Sequence, residues 1–372
     1  MDFTVSKGDL VRELNLSQGV VEKKTTIPIL SNILVETSDN RILLTATDLE
    51  LGIRSSCPAK VRKQGAGTIP AKKLLDYVRL LPDADVDVKL QENQWASLLC
   101  GRSRTRIAGM SRESFPELPE MPETLAEIPA RTLAGMIAKT IFAISAEESR
   151  FTLNGALLIL RNNSMTMVAT DGHRLALVET ELDLPSISVQ FRALLPRKAM
   201  AEILKLAQDG EADAKLLFSG DENHLFFKLG DRLLLSRKLT GNFPDFERVL
   251  PKEHGKSVVL GRDELRAAIE RVSQFSDERS RAIRLKMGEG EMRIHSSLSE
   301  TGESEEPIPA DYDGESVEIG FNAQYLLDFL RALPDEQVAF YFRDPNSAGE
   351  LRPAPSEKSS GTYRYVVMPM RI

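Results

Sequence analysis

The sequence predicts an α+β protein that contains three copies of one structural unit. Two observations support this prediction. The helix-like stretches 69–81, 195–207 and 321–333 follow one another at a constant spacing of 126 residues. The strand-like stretch TATDLELGI at 45–53 is also repeated, as VATDGHRLAL at 168–177. Because three unrelated domains would not produce a constant spacing, we favour a triplicated domain.

Each helix-like stretch places its apolar residues on one face. In the first stretch Leu74, Val78 and Leu81 are spaced i, i+4 and i+7, which is typical of an amphipathic helix. Pro70 and Pro196 stand where the first turn of a helix tolerates proline. Three further amphipathic helices, each preceded by a short extended segment, are predicted at 8–18, 131–141 and 262–272.

The repeated Thr-Asp stretches predict half-buried strands. Apolar residues alternate before each of them, and MRIHSSL at 292–298 is a weaker third counterpart. The unit therefore consists of strand, helix, strands, helix and strands, about 120–130 residues in all, which is an ordinary domain size. Linkers rich in proline and charge at 116–129 and 250–256 divide the chain into three domains, 1–123, 124–252 and 253–372.

The composition indicates a cytoplasmic protein. The 372 residues include no run of about 18 apolar residues, and the charged N-terminus does not resemble a signal peptide. Two cysteines, Cys57 and Cys100, are typical of a reduced compartment. The net charge of -7 argues against a conventional nucleic-acid binder, which usually has a basic surface.

The overall negative charge conceals a local positive pattern. The stretches 69–81, 131–141 and 195–207 each carry a net charge of +2. If these helices share a face, that face is positive within an acidic body, which suits phosphate contacts without base recognition. Ordinary solvated helix faces are the alternative. The contributing cations are Lys72, Lys73, Arg79, Lys139, Arg197, Lys198 and Lys205.

The Asp171 and His173 pair raises the possibility of acid–base catalysis by an undetected hydrolase. Thr-Asp recurs at 47–48 without the Gly-His that follows it in the second copy. The pair is therefore better explained as a strand-ending turn in which the aspartate accepts backbone amides. No P-loop, Gly-x-Ser-x-Gly elbow, dinucleotide fingerprint or zinc spacing occurs. We expect no catalysis, no metal and no cofactor.

With these repeats, LNGALL at 153–158, NFPDFERVLP at 242–251 and VVMPMRI at 366–372, the whole chain resembles the bacterial DNA polymerase III beta subunits, the sliding clamps. The resemblance implies three clamp-type domains, each with two helices packed on antiparallel sheets, that form a crescent. Two crescents close into a homodimeric ring around duplex DNA.

The resemblance also implies a non-catalytic processivity factor for DNA replication that acts in the cytoplasm, at the nucleoid. The ring slides without reading sequence. It tethers the replicative polymerase, the clamp loader and repair proteins, which bind through short linear peptide motifs. The alternative is a scaffold that binds the same peptides away from DNA.

The family's hydrophobic peptide-binding pocket lies between the central and C-terminal domains. The matching positions here are Leu153, Thr170, Gly172, His173, Arg174, Leu175, Pro244, Arg248, Val249, Val366, Val367, Met368, Pro369, Met370 and Arg371. Leucine, valine and deformable methionine side chains suit a site that serves several partners. We expect His173 and Arg174 to orient polar atoms of the peptide. Pro369 should interrupt a sheet ladder and free the last residues.

The family's DNA contacts match less completely. Among the matching positions, Lys24, Lys72 and Phe151 keep suitable chemistry, whereas Glu147 is acidic and Thr152 is not aromatic. We expect the neighbouring Arg150 and Lys139 to compensate. The predicted DNA-binding set is Lys24, Lys72, Lys73, Lys139, Arg150, Phe151, Arg197 and Lys198.

Dimer contacts are expected from the first and third domains. The candidates are Ile107, in the strand-like stretch 102–109, and Phe275. Pairing of sheet edges across subunits would cover edges that are otherwise exposed. The acidic segment 300–316 and the Ser- and Pro-rich segment 346–361 are expected to be mobile, solvated loops, and we assign them no function.

Overall fold

A computed structural model describes residues 1–21, 26–211, 213–252, 255–298, 302–355 and 361–371 of the chain. The predicted helices are all present within this part, and each begins within two residues of its expected start. They are α1 Lys7–Ser17, α2 Ala71–Leu80, α3 Ala130–Ala138, α4 Arg197–Gln208, α5 Arg262–Val272 and α6 Ala323–Ala332. None of the helices described is long and apolar enough to cross a membrane.

The remaining described residues form mainly strands. The first group is β1 Asp2–Ser6, β2 Asn32–Ser38, β3 Arg41–Thr47, β4 Leu51–Pro58, β5 Lys60–Lys63, β6 Ala66–Pro70, β7 Asp85–Leu90, β8 Trp95–Cys100 and β9 Ser103–Ala108. The second is β10 Ala126–Pro129, β11 Gly155–Arg161, β12 Ser164–Thr170, β13 Arg174–Glu181, β14 Phe191–Pro196, β15 Lys215–Gly220, β16 His224–Leu229 and β17 Arg232–Arg237. The third is β18 Lys256–Gly261, β19 Ala282–Gly288, β20 Glu291–Leu298, β21 Gly302–Pro309, β22 Val317–Asn322, β23 Gln337–Phe342, β24 Gly349–Pro353 and β25 Gly361–Val367.

Residues 1–134 and 198–238 form one compact unit. It contains an eight-stranded antiparallel sheet in the order β10-β15-β16-β17-β4-β3-β2-β6 and a five-stranded sheet in the order β5-β1-β7-β8-β9. The first sheet joins two repeats, because β17 pairs with β4 and places Leu235 opposite Gly52. Helices α1 and α2 contribute Leu14 and Leu74 to the buried core.

Residues 135–197 and 239–372 form the other unit. Its eight-stranded sheet has the order β14-β11-β12-β13-β25-β24-β23-β18, and its four-stranded sheet has the order β21-β20-β19-β22. Here β13 pairs with β25, which places Leu175 opposite Val366. Tyr365 and Phe329 stack in the core with their ring centroids 5.0 Å apart.

The strand registers confirm the internal repeat. In β2, β3 and β4, Leu34 lies opposite Thr45, and Thr45 lies opposite Arg54. In β11, β12 and β13, the residues 123 positions later have the same arrangement, Leu157–Val168–Leu177. The paired positions of these three strands in the first repeat therefore have structural counterparts in the second.

The positions of two prolines and the burial of one strand differ from the expectation. Pro70 and Pro196 each end a strand and precede the helix, so neither lies in a first helical turn. The strand β12 is buried along its whole length and not half exposed, so both of its faces are covered.

The two segments expected to be mobile loops also contain strands. Residues 302–309 form β21, which pairs with β20 along its whole length. Residues 349–353 form β24, and residues 356–360 lie outside the described part. High charge in the first segment reflects a partly exposed strand, since Glu303 and Glu305 are exposed and Ser304 and Glu306 are less so.

Candidate functional site

The turn between β12 and β13 is held by the Thr-Asp pair. The Thr170 hydroxyl donates to the carbonyl of Arg174 at 2.6 Å, and Asp171 Oδ1 accepts the amides of His173 and Arg174 at 2.9 and 3.0 Å. Gly172 takes φ +88°, a conformation that favours glycine. These bonds confirm that the pair forms a strand-ending turn.

The first repeat builds the same turn on its own Thr-Asp pair, and the residues that follow the pair differ. Asp48 Oδ1 accepts the amides of Glu50 and Leu51 at 3.0 and 2.7 Å. Leu49, with φ +77°, stands where the second repeat has glycine. The turn is therefore part of the repeat, and only Gly-His-Arg distinguishes the second copy.

The carboxylate and imidazole of the second copy do not form an acid–base pair. Asp171 Oδ2 accepts Arg174 Nε at 3.0 Å, whereas the His173 ring stacks on Tyr325 with centroids 6.5 Å apart. Across the described residues, no group of three or more His, Cys, Asp or Glu side chains could hold a metal ion.

Arg174 is a buried hub beneath this turn. Its Nη1 donates to Asp328 Oδ2 at 2.6 Å, and its Nη2 donates to the carbonyl of Phe142 at 2.6 Å. The guanidinium carbon lies 4.4 Å from the Tyr325 ring centroid. Burial alone would lower the pKa of Arg174, but interactions with Tyr365 and Asp328 raise it above its ordinary value. Three of its N–H donors are therefore engaged within the protein.

An apolar cluster lies beside the turn. Phe243 and Leu250 pack against it from the segment that follows β17, and Ala348 packs against it from the turn before β24. The buried members, which we call the apolar cluster, are Leu157, Ile159, Val168, Leu175, Leu177, Leu194, Phe246 and Val366. The matched positions Leu175 and Val366 are thus brought together, as the resemblance implied.

The C-terminal segment runs beside the turn between β12 and β13. The ladder of β25 ends at Val367, and the Met368 amide donates to the carbonyl of His173 at 2.9 Å. Pro369 interrupts the ladder as expected, but the Met370 amide then donates to the carbonyl of Gly320 at 2.8 Å. The expectation that the last residues are free is therefore wrong for Met370. The Met368 side chain remains 46% exposed.

The segment after β17 supplies exposed matched residues. Pro244 and Val249 are exposed on either side of a one-turn 3-10 helix, Phe246–Arg248. Arg248 pairs with Asp245 at 2.7 Å and points into solvent. Leu153, in contrast, is buried just before β11, and Arg371 is exposed.

Sequence reasoning missed several residues of this site. Tyr325 and Asp328 were assigned only to a helical face, although they contact His173 and Arg174. Leu177 and Phe246 were seen as part of a strand and a motif, yet they complete the apolar cluster. The sequence signal that could have found Tyr325 and Asp328 is their position on the solvent side of a predicted helix.

The cations predicted to bind DNA differ in their surroundings. Lys72 and Lys73 are exposed and line a cleft of about 580 Å³ with Tyr77. Lys198, the counterpart of Lys72 in the next repeat, forms an ion pair with Asp48. Lys24 lies outside the described residues.

The predicted DNA-binding residues of the other unit are also partly engaged. Arg150 pairs with Glu147 at 2.8 Å and donates to the carbonyl of Asp171 at 2.8 Å. Lys139 lies over the Tyr363 ring at 5.4 Å. Phe151 is 70% exposed, and Arg197 is exposed.

The two dimer candidates lie on or beside edge strands. Ile107 belongs to β9, which ends the five-stranded sheet, and its side chain is already buried within the protomer. Phe275 lies in the 3-10 turn Ser273–Phe275, next to Gly302 at the start of the edge strand β21.

Comparison with known proteins identifies similar chains over the full length. Models of the DNA polymerase III beta subunit match as N-terminal domain over residues 1–119, central domain over 127–245 and C-terminal domain over 247–371. The beta sliding clamp of Pseudomonas putida is 37% identical over 375 residues, with 100% of both chains covered.

Solved structures agree with this. The sliding clamp of Pseudomonas aeruginosa bound to griselimycin has a TM-score of 0.93 at 35% identity, and that of Bartonella birtlesii bound to griselimycin has 0.94 at 32%. Both comparisons cover 100% of each chain.

Proposed function

Because this chain belongs to the DNA polymerase III beta subunit family, the non-catalytic beta sliding clamps that confer processivity on the polymerase, we propose that two copies close into a ring around duplex DNA. The domain boundaries 1–123, 124–252 and 253–372 are part of this proposal. The observation that carries the ring is a pair of strand edges that the internal repeat leaves unmatched.

The repeat predicts which edges should pair. Strands β17 and β25 end equivalent four-strand groups, and each pairs with the preceding repeat, at β4 and β13. By the same equivalence β9 should pair with β21, yet both are edge strands in the described part of this chain. A second copy supplies the missing partner for each edge, which closes a two-fold ring.

Charge supports the same pairing. Arg104 and Arg106 are exposed on β9, and Glu303 and Glu305 are exposed on β21. Antiparallel pairing would bring the basic edge of one copy against the acidic edge of the other, which favours the correct partner. Ile107 and Phe275 would lie in the packed layer beneath this seam.

The seam is tested by charge reversal. We expect Arg104→Glu with Arg106→Glu to shift the protein from dimer to monomer in sedimentation analysis. Adding Glu303→Arg and Glu305→Arg should restore the dimer. Lys228→Glu, at an exposed cation of β16 away from the edge, is the matched control. An unchanged dimer in the first variant would exclude this seam.

The ring itself is tested on DNA. Protein loaded on nicked circular DNA with a clamp loader should be retained on the circle and lost once the circle is linearised. Equal retention on both forms would mean ordinary contact affinity, and the ring mechanism would be abandoned. A scaffold acting away from DNA would show no retention on either form.

We further propose that the apolar cluster, the turn at 170–174 and residues 366–371 form the binding site for short peptides of polymerases, the clamp loader and repair proteins. Exposed Val249 and Met368 offer apolar area beside buried leucines, as a peptide anchor requires. Arg174 holds the wall of this site by fixing Tyr325 and the turn. Two relatives bind griselimycin, which makes it a suitable probe.

Substitutions at two valines test the proposed peptide site. Val249→Glu should weaken griselimycin binding by about 100-fold, because an unpaired carboxylate would be desolvated. Val259→Glu, on strand β18, is a matched control, because Val259 is 40% exposed and Val249 is 43% exposed. Equal loss in both variants, or no loss in either, would place the site elsewhere.

A further inference from the structure

The first repeat contains a groove that is the structural counterpart of the peptide site. It encloses about 600 Å³ beside β2, β3 and β4. Phe115, Pro116 and Leu118 line it from the segment SFPELPE at 114–120, which matches NFPDFER at 242–248. This groove and the proposed peptide site thus lie at equivalent positions of successive repeats, and their residues can be compared one by one.

Most positions of the apolar cluster are not apolar in the first repeat. Of its eight positions, three are apolar there, with Leu34, Leu118 and Leu235 at the positions of Leu157, Phe246 and Val366. The strand registers replace Ile159, Val168, Leu175, Leu177 and Leu194 by Glu36, Thr45, Gly52, Arg54 and Thr68.

Arg54 crosses this groove. Its Nη1 lies 2.8 Å from Glu120 Oε1, and its Nη2 donates to the carbonyl of Leu118 at 3.0 Å. At 28% exposure the Arg54 side chain is largely enclosed. Leu177 occupies this register position in the second repeat and packs in the apolar cluster instead.

A second ion pair and a close contact also disfavour an apolar ligand in this groove. Glu36, at the position of Ile159, accepts Arg112 Nε at 3.0 Å. At Gly52 an added Cβ would lie 3.0 Å from Leu118 Cδ1 and 3.1 Å from Leu235 Cγ, so the space of Leu175 is already filled. An apolar peptide anchor entering here would desolvate both ion pairs without replacing their partners.

We propose that Arg54, assisted by Glu36, is the specificity-determining residue that restricts peptide binding to one of the two equivalent grooves in each protomer. This inference rests on the proposed peptide site.

The test is the stoichiometry of griselimycin binding, measured by titration calorimetry on the full chain. The wild-type protein should bind one molecule per protomer. A triple variant, Arg54→Leu, Glu36→Ile and Thr45→Val, introduces the second-repeat residues at three of the five differing positions and should bind two. A folded triple variant that still binds one molecule would overturn the proposal.

Two further variants separate the possible failures. Adding Val249→Glu to the triple variant should leave one site, the new one. Leu177→Arg alone should weaken wild-type binding by about 100-fold, because it introduces the first-repeat charge. Unchanged affinity in Leu177→Arg, in a chain that unfolds at the wild-type temperature, would also overturn the role of Arg54. If Val249→Glu alone has no effect, the peptide site itself is misplaced, whatever the triple variant shows.

Discussion

Glu350→Gln is expected to destabilise the sheet that supports the proposed peptide site. Glu350 lies on β24, directly opposite Val366, and its side chain is fully buried. One carboxylate oxygen accepts Arg352 Nε at 2.7 Å, and the other accepts Arg364 Nη2 at 2.9 Å. The substitution keeps the volume and removes the charge that both guanidiniums share.

The magnitude follows from burial. Breaking a buried ion pair by removing one partner costs about 3–5 kcal/mol. The Arg352 and Arg364 side chains are 32% and 19% exposed, so water can partly replace the lost carboxylate. We therefore expect a loss near the lower end, about 3 kcal/mol in the free energy of unfolding at pH 7.

The loss should depend on pH. Burial alone would raise the pKa of Glu350, but hydrogen bonds from Arg364 and Arg352 outweigh it and hold the pKa below its ordinary value. The carboxylate therefore stabilises the fold fully above the unfolded-state pKa of about 4.3, and this stabilisation disappears as pH falls through the folded-state pKa. The difference between wild type and variant should shrink in acid.

Urea unfolding at pH 7 and at lower pH, with hydrogen exchange of the β24 and β25 amides, measures both effects. Glu318→Gln is the control, because Glu318 is half exposed and lies 3.7 Å from Arg284, where an ion pair contributes about 0–1 kcal/mol. A difference below about 1 kcal/mol for Glu350→Gln at pH 7 would refute the reasoning. A difference that does not change in acid would refute the pH argument.

Three further predictions follow from single residues. Gly172→Ala should destabilise the protein by about 1 kcal/mol, because φ is +88° and the new Cβ would lie 3.1 Å from Arg150 Nη1. Gly8→Ala in α1 is the control and should not destabilise the protein, because no atom lies within 4 Å of its new Cβ. Equal melting temperatures of the two variants would contradict this prediction. Lys72→Ala should lower the salt dependence of binding to short duplex DNA by about one unit of slope, and its counterpart Lys198→Ala by less, because Lys198 is paired with Asp48; equal slopes would remove the distinction. Burial raises the pKa of Cys57 to about 12, so a thiol reagent at pH 8 should label it only in urea, and rapid labelling of the folded chain would show that the thiol is accessible.

The sequence by itself determined the elements that depend on local periodicity. The helical spacing of Leu74, Val78 and Leu81 predicts α2, and the constant 126-residue offset predicts its copies. The Thr-Asp turn was also predictable, since an aspartate side chain reaches backbone amides two and three residues away. The apolar motif at the C-terminus indicated the family because its residues are contiguous in sequence.

Only the tertiary structure decided which strands pair and which charges are engaged. The joins of β17 with β4 and of β13 with β25 link residues about 180 positions apart, and alternation of side chains does not specify a distant partner. Arg174 begins β13 and Arg54 lies within β4, yet one fixes the turn of the proposed peptide site and the other crosses the groove of the first repeat. Their roles differ because a guanidinium binds whichever carboxylates and carbonyls the fold brings within reach.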